Sequence, residues 1–118
     1  MKIRIKGNFL RYRLTRSDVE LFAKEGYIAE QTEFGEQTLT YSLQRSSGGQ
    51  LSATFTNNQI TFLMPAAMAE EWTSTEQVGF EGFYGNLHLL IEKDFKCLDN
   101  VAEDQSDNYP NPLAGGKI

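Results

Sequence analysis

The apolar residues of this 118-residue chain run in one order twice, fifty positions apart and without a gap. Laying 2–43 over 52–93 pairs Ile5 with Phe55, Leu10 with Ile60, Tyr12 with Phe62, Leu14 with Met64 and Phe22 with Trp72. The match continues through Ile28/Val78, Phe34/Tyr84, Gly35/Gly85, Leu39/Leu89 and Tyr41/Ile91. Identities are few (Asn8/Asn58, Glu20/Glu70, Gly35/Gly85, Leu39/Leu89), so the correspondence lies in pattern and turn position. It constrains the fold because whatever supersecondary unit one half forms, the other is expected to form too.

Each half reads as the same series of elements. Residues 2–14 alternate apolar with basic side chains and change phase at Gly7-Asn8, the pattern of two strands joined by a tight turn. Thr15 and Ser17 are both N-cap types, and Ser17 with Glu20 fits a capping box. Val19, Phe22 and Ala23 then line one face of a helix that Gly26 ends. Residues 27–33 and 37–43 form a second hairpin about Phe34-Gly35-Glu36. Past the Ser46-Ser47-Gly48-Gly49 linker, 51–56 and 59–64 flank Asn57-Asn58, a pair tolerant of positive φ. Pro65 stands where a missing N–H is harmless and opens a helix over 66–72, with Met68 and Trp72 on its inward face. Residues 78–82 and 87–93 close the series about Phe83-Tyr84-Gly85-Asn86. The expected fold is β-rich α+β: a single domain over 1–118, built of two ββαββ repeats at 2–47 and 51–96 that form one pseudo-symmetric barrel, with an irregular acidic tail over 97–118.

A chain of this length can bury a core without covalent staples. The single Cys97 excludes an internal disulfide, and charged Lys2, Arg4 and Lys6 break the opening into something unlike a signal peptide, so a cytoplasmic location is expected. No apolar run reaches membrane-spanning length, and no membrane partner is expected. The net charge of −5 is unevenly spread: the first 24 residues carry seven basic and two acidic side chains, the rest four basic and fourteen acidic. A basic edge hairpin explains this through solubility and pairing with acidic neighbours, while an anion-binding face is the functional alternative.

The series Gly7-Asn8, Arg11-Tyr12-Arg13-Leu14-Thr15, Val19-Glu20 and Gly26 resembles the swapped-hairpin unit of AbrB/MazE-type transition-state regulators and antitoxins. In that family a hairpin leads through a proline at the helix start into a short helix, a Gly-ended connection and a second hairpin. Residues 59–65 are the closer match, since Pro65 holds the family's proline while Thr15 replaces it in the first half. The family interleaves two such units into one barrel. Two units on one chain therefore imply a fused pseudo-dimer of the cradle-loop kind, and DNA-binding regulation as one function. The opening MKIRIKGN with RLT and the closing EKDFKCLD with SDNYPNP also resemble a family of small uncharacterised bacterial proteins, which implies that the C-terminal segment belongs to the protein and implies no activity.

Strand alternation puts Arg11 and Arg13 on the face opposite Leu10, Tyr12 and Leu14, making with Arg4, Lys6 and Arg16 a candidate anion- or nucleic-acid-binding stripe. The corresponding positions of the second half, Thr61 and Leu63, are uncharged. Asp99, Glu103, Asp104 and Asp107 are candidate oxygen ligands for Ca²⁺ or Mg²⁺, although their spacing is not that of an EF-hand loop. The alternative is a solvated acidic tail anchored by Tyr109. His88, flanked by Leu87 and Leu89, reads as an ordinary surface imidazole, and Cys97 as a small buried hydrophobe. Phe34, Trp72, Phe80, Phe83 and Tyr84 read chiefly as core aromatics, with Phe83 and Tyr84 at a hairpin tip as candidate partner-binding residues. No nucleophile, catalytic triad or phosphate loop stands out, so no catalytic residue and no cofactor are expected. The reading is a non-catalytic binding or interaction module with a protein partner, as monomer or homodimer. Its alternatives are a DNA-binding regulator of the AbrB/MazE kind and a metal- or small-ligand-binding barrel.

Overall fold

Alternating side chains close the first strands around Gly7, whose positive φ of 56° suits a tight turn. In the computed structural model, which describes residues 1–95, β1 (Lys2–Lys6) and β2 (Phe9–Leu14) lead into α1 (Arg16–Glu25), then β3 (Tyr27–Glu33) and β4 (Thr38–Ser46). The same order follows again: β5 (Ser52–Thr56), β6 (Gln59–Pro65), α2 (Ala66–Ser74), β7 (Gly79–Tyr84) and β8 (Leu87–Lys93). The protein is thus α+β and strand-rich.

The helix boundaries have separate causes. Thr15, not Ser17, caps α1: its hydroxyl accepts from the Asp18 N–H, and the Asp18 carboxylate accepts from the Thr15 N–H. Asp18 reaches back because it occupies the third helical position, whereas a cap at Ser17 would have left Arg16 outside the helix. Gly26, left-handed at φ 73°, ends it. Val19 and Phe22 face inward as expected, but Ala23 is exposed. The second helix starts at Pro65 without a side-chain cap and ends without glycine, the hydroxyls of Thr73, Ser74 and Thr75 donating back to the carbonyls of Ala69, Glu70 and Glu71 at 2.6–2.8 Å.

The expected closed barrel is not formed. The strands make two four-stranded sheets, β1-β2-β8-β7 and β3-β4-β6-β5, here called sheets A and B. Each takes one hairpin from either half of the chain, antiparallel within hairpins and parallel between them, through β2 with β8 and β4 with β6. Side chains occupy the seams where ladders would have closed a barrel. Near β1 and β3, the Met1 amine meets Glu30 at 2.7 Å and the Tyr41 hydroxyl donates to the Met1 carbonyl. Near β5 and β7, buried Leu51 lies over Gly82.

Hairpin registers advance by fifty from one half to the other: Lys2↔Arg13 is followed by Ser52↔Leu63, and Ala29↔Ser42 by Gly79↔Glu92. The parallel pairings do not match. Phe9 pairs with His88, yet Gln59 pairs with Thr40 instead of Thr38, a slip of two residues. An even slip keeps every side chain on its face, so the core survives it.

That core lies between the sheets. Leu10, Tyr12, Leu14, Leu89 and Ile91 of sheet A face Leu43, Phe62 and Met64 of sheet B, all buried. The Tyr12 and Phe62 rings are 4.9 Å apart. The helices cover one end, where Phe22 of α1 meets Trp72 of α2 edge-on at 6.2 Å. Trp72, fully buried, donates its indole N–H to the Val78 carbonyl at 2.9 Å and ties α2 to the start of β7. Strand direction then collects all four hairpin turns at the opposite end, with the Asn8 side chain donating to the Asn86 carbonyl at 2.6 Å. Among the described residues no helix is long and apolar enough to cross a membrane.

Candidate functional site

The helices cover one end of the sandwich, and among the described residues no element covers the end bearing the turns. An apolar cleft of about 470 Å3 opens there, walled by Ile5, Leu10, Leu39, Ala53, Phe55, Ile60 and Leu87, with Asn8 at its rim. Alternation aims Ile5 and Phe55 inward, but each sits in an edge strand one position before a turn, so little chain remains to cover them. They are 61% and 70% exposed. Phe34, 67% exposed, joins the cleft through Leu39, which lines both it and the neighbouring hollow beside Asn58. Tyr84 pairs across its hairpin with the cleft residue Leu87, and exposed Phe83 stands beside it. Five of the nine large hydrophobics exposed among the described residues thus gather at this one end. The cleft is in the size range of a ligand site, and none of its walls is charged.

The partner-binding candidates Phe83 and Tyr84 belong to this end, although they continue β7 and leave the turn to Gly85-Asn86. Trp72 is core and Phe80 half-buried, as expected of strand and helix aromatics. Ile5 and Phe55 were not among the candidate residues. The signal for them was present: each is the last inward position before a turn, and they correspond at the fifty-residue offset.

The basic stripe lies elsewhere, on the outer face of sheet A. Register puts Lys2, Arg13 and Glu92 in one cross-strand row, Arg4, Arg11, Leu90 and Glu81 in the next, and Lys6, Phe9, His88 and Phe83 in the third. Lys2, Arg4, Arg11 and Arg13 line a shallow depression of about 250 Å3. Part of the charge is neutralised in place: Arg13 meets Glu92 at 3.3 Å and Asp94 at 3.9 Å, and Lys2 meets Asp94 at 2.9 Å. Arg16 is set apart, at the start of α1 in a different hollow with Glu20 and Lys93.

His88 is not an ordinary surface imidazole. Its ring stacks on Phe83 at 4.5 Å, touches Phe9 at 4.6 Å and pairs through Nε2 with the Glu81 carboxylate. Cross-strand register made this cluster, bringing together residues the sequence holds far apart.

The terminal amine is the other charged cluster. Met1 lies 2.8 Å from Asp18 and 2.7 Å from Glu30. Burial lowers the amine's pKa, but the two carboxylates outweigh it and hold it above its usual value. Burial likewise works to raise the Asp18 pKa, and the hydrogen bonds from the amine and Thr15 overcome it and hold it low. Burial raises the pKa of the Tyr12 phenol, against a smaller opposing effect of the Ser42 backbone, and its hydroxyl donates to the Ile60 carbonyl at 3.3 Å.

No group of three or more His, Cys, Asp or Glu side chains is set to hold a metal among the described residues. The candidate ligands Asp99, Glu103, Asp104 and Asp107, with Cys97 and Tyr109, lie outside the described residues.

Fold and site together define a two-sheet α+β protein with hairpins exchanged between its halves and, among the described residues, one apolar end left open. The chain belongs to a family of unknown function, DUF7009, which matches residues 1–113. No curated protein and no solved structure matches it.

Proposed function

We propose that this protein is a small, non-catalytic interaction module that docks a protein partner at the open end of its sandwich. The observation that carries the reading is the exposure of Ile5, Phe34, Phe55 and Tyr84 in or beside a cleft with uncharged walls, with Phe83 on the outer face of the same end. Soluble proteins seldom leave such a patch in water unless it is used. A cytoplasmic setting goes with this reading, on the single cysteine and the charged opening. So does descent from a duplicated ββαββ unit: the hairpin registers repeat at fifty residues, and the exchange of hairpins between sheets supports kinship with AbrB/MazE-type pseudo-dimers. The test is photo-crosslinking in the cells that make the protein, with benzoyl-phenylalanine at position 55 or 83. Adducts are expected at these positions and not at Thr61 on the outer face of sheet B. Equal yields at all three, or none at 55, sink the reading.

A second reading has its own observation, the depression lined by Lys2, Arg4, Arg11 and Arg13. It favours a polyanion such as DNA, as in an AbrB/MazE-like regulator. Arg11→Ala with Arg13→Ala should then abolish a complex whose affinity falls steeply with salt. A complex indifferent to both changes excludes it.

A further inference from the structure

We infer that the partner received at the open end is a second copy of this chain, in a two-fold dimer closed tip to tip; the inference rests on the docking reading above and names its partner. Three features of that end point to self-association. The first is area. Large side chains present about 200 Å2 each, so Ile5, Phe34, Phe55 and Tyr84, 46–70% exposed, leave roughly 500 Å2 of apolar surface in water. That is near the top of what a monomer ordinarily shows and more than half of the ~800 Å2 each partner gives to a standard interface.

The second is shape. A two-fold interface must fit itself, so one face has to carry both recess and projection. Here Phe55 and Phe34 project beside a cleft of about 470 Å3. The cleft is also nearly symmetric, since opposite walls come from Ile5 and Phe55, and from Leu10 and Ile60, each pair fifty residues apart.

The third is charge. A chain of net −5 repels its own copies through most of its surface. Asn8, Asn57, Asn58 and Asn86 leave three of the four turns at this end uncharged, Glu36 standing in the fourth, and no cleft wall is charged, so repulsion is low where the apolar area is greatest. The outer face of sheet B is also nearly uncharged, but threonine, serine and glutamine make up most of it and give little hydrophobic gain.

The experiment is sedimentation velocity of the full chain across low to high micromolar concentration, for wild type, Phe55→Asp, Phe34→Asp and the control Leu21→Asp on α1. Phe55, Phe34 and Leu21 are all exposed, so melting temperatures should stay close to wild type and certify folding. The wild type and Leu21→Asp should dimerise alike, and each tip substitution should weaken the dimer at least about tenfold. A dimer untouched by both tip substitutions overturns the proposal. A wild type that stays monomeric throughout overturns it too, while position-55 adducts of some other mass would leave the docking reading standing.

Discussion

The two sheets share one plan and present opposite outer surfaces. Sheet A shows Lys2, Arg4, Lys6, Arg11 and Arg13 running into Glu92, Glu81 and the Phe9-His88-Phe83 row. Sheet B shows Gln31, Thr40, Gln59 and Thr56 in one row and Ala29, Thr61 and Thr54 around the buried Ser42 in the next, with Glu33 near the turn as its charge among the described residues. The inner faces are alike and both buried. The likeness thus lies on the faces that share a core and the difference on those that meet solvent, because packing constrains only the buried face of a strand. The two-residue slip between β4 and β6 marks the limit of the likeness: the hairpins correspond, but their docking differs.

The sharpest way to break the correspondence lies at Gly79 and Ala29, which occupy matched positions. A Cβ at Gly79 would sit 1.9 Å from the Ile91 carbonyl oxygen, whereas Ala29 is exposed and carries a Cβ already. Gly79→Ala should cost about 3 kcal/mol by urea unfolding as backbone is forced aside, and Ala29→Gly no more than ~1 kcal/mol. Equal costs would mean that the two sheets are packed alike after all.

A smaller effect is expected where the sheets are joined. The Tyr12 hydroxyl crosses from sheet A to the Ile60 carbonyl of sheet B, so Tyr12→Phe should lose about 1 kcal/mol in the same measurement. The Ser42 hydroxyl also reaches that carbonyl, at 3.4 Å, which limits the loss.

The seam near β1 and β3 should show in the pH dependence of melting. The Met1 amine is raised above 8.0, so its contribution is complete below pH 8.0 and fades as pH rises through the folded value. Asp18 is lowered below 3.8, so its contribution is present above that and fades as pH falls through the folded value. Thermal melts should therefore weaken at both extremes, and Asp18→Asn should flatten both limbs. A variant with the wild-type profile would show that the amine pair contributes nothing.

The smallest stability change, with the clearest effect on surface charge, is expected from Glu92→Gln with Asp94→Asn. These pairs are partly solvated and worth less than about 1 kcal/mol. Removing them frees Lys2 and Arg13 and should strengthen retention on a heparin column. The position matching Glu92 in sheet B is Ser42, with no cation across from it. Unchanged retention would show that the basic face gains nothing from losing those carboxylates.

Local chemistry made most of the elements legible in advance. Alternation marked the strands, Gly7 and Asn57-Asn58 their turns, and Gly26 and Pro65 the end of one helix and the start of the other, because each signal acts within a few residues. The inward set of Leu10, Tyr12, Leu14, Phe62, Met64 and Trp72 followed from the same periodicity. The capping box was misplaced by two residues, since Thr15 and Ser17 are chemically equivalent candidates and only helix geometry chooses between them.

What the sequence alone could not determine is how hairpins far apart in the chain would pair. No residue of β2 declares that it will run beside β8 instead of closing a barrel, because that choice depends on the total area buried between sheets and on the side chains that fill the seams. The same holds for the sites. The basic stripe was visible as local alternation, but Glu92, Asp94 and the Phe9-His88-Phe83 row reached it only through cross-strand pairing. Ile5 and Phe55 were apolar, inward-pointing residues by sequence, and became a cleft because the tertiary structure placed both helices at the other end, with no element of the described residues over them.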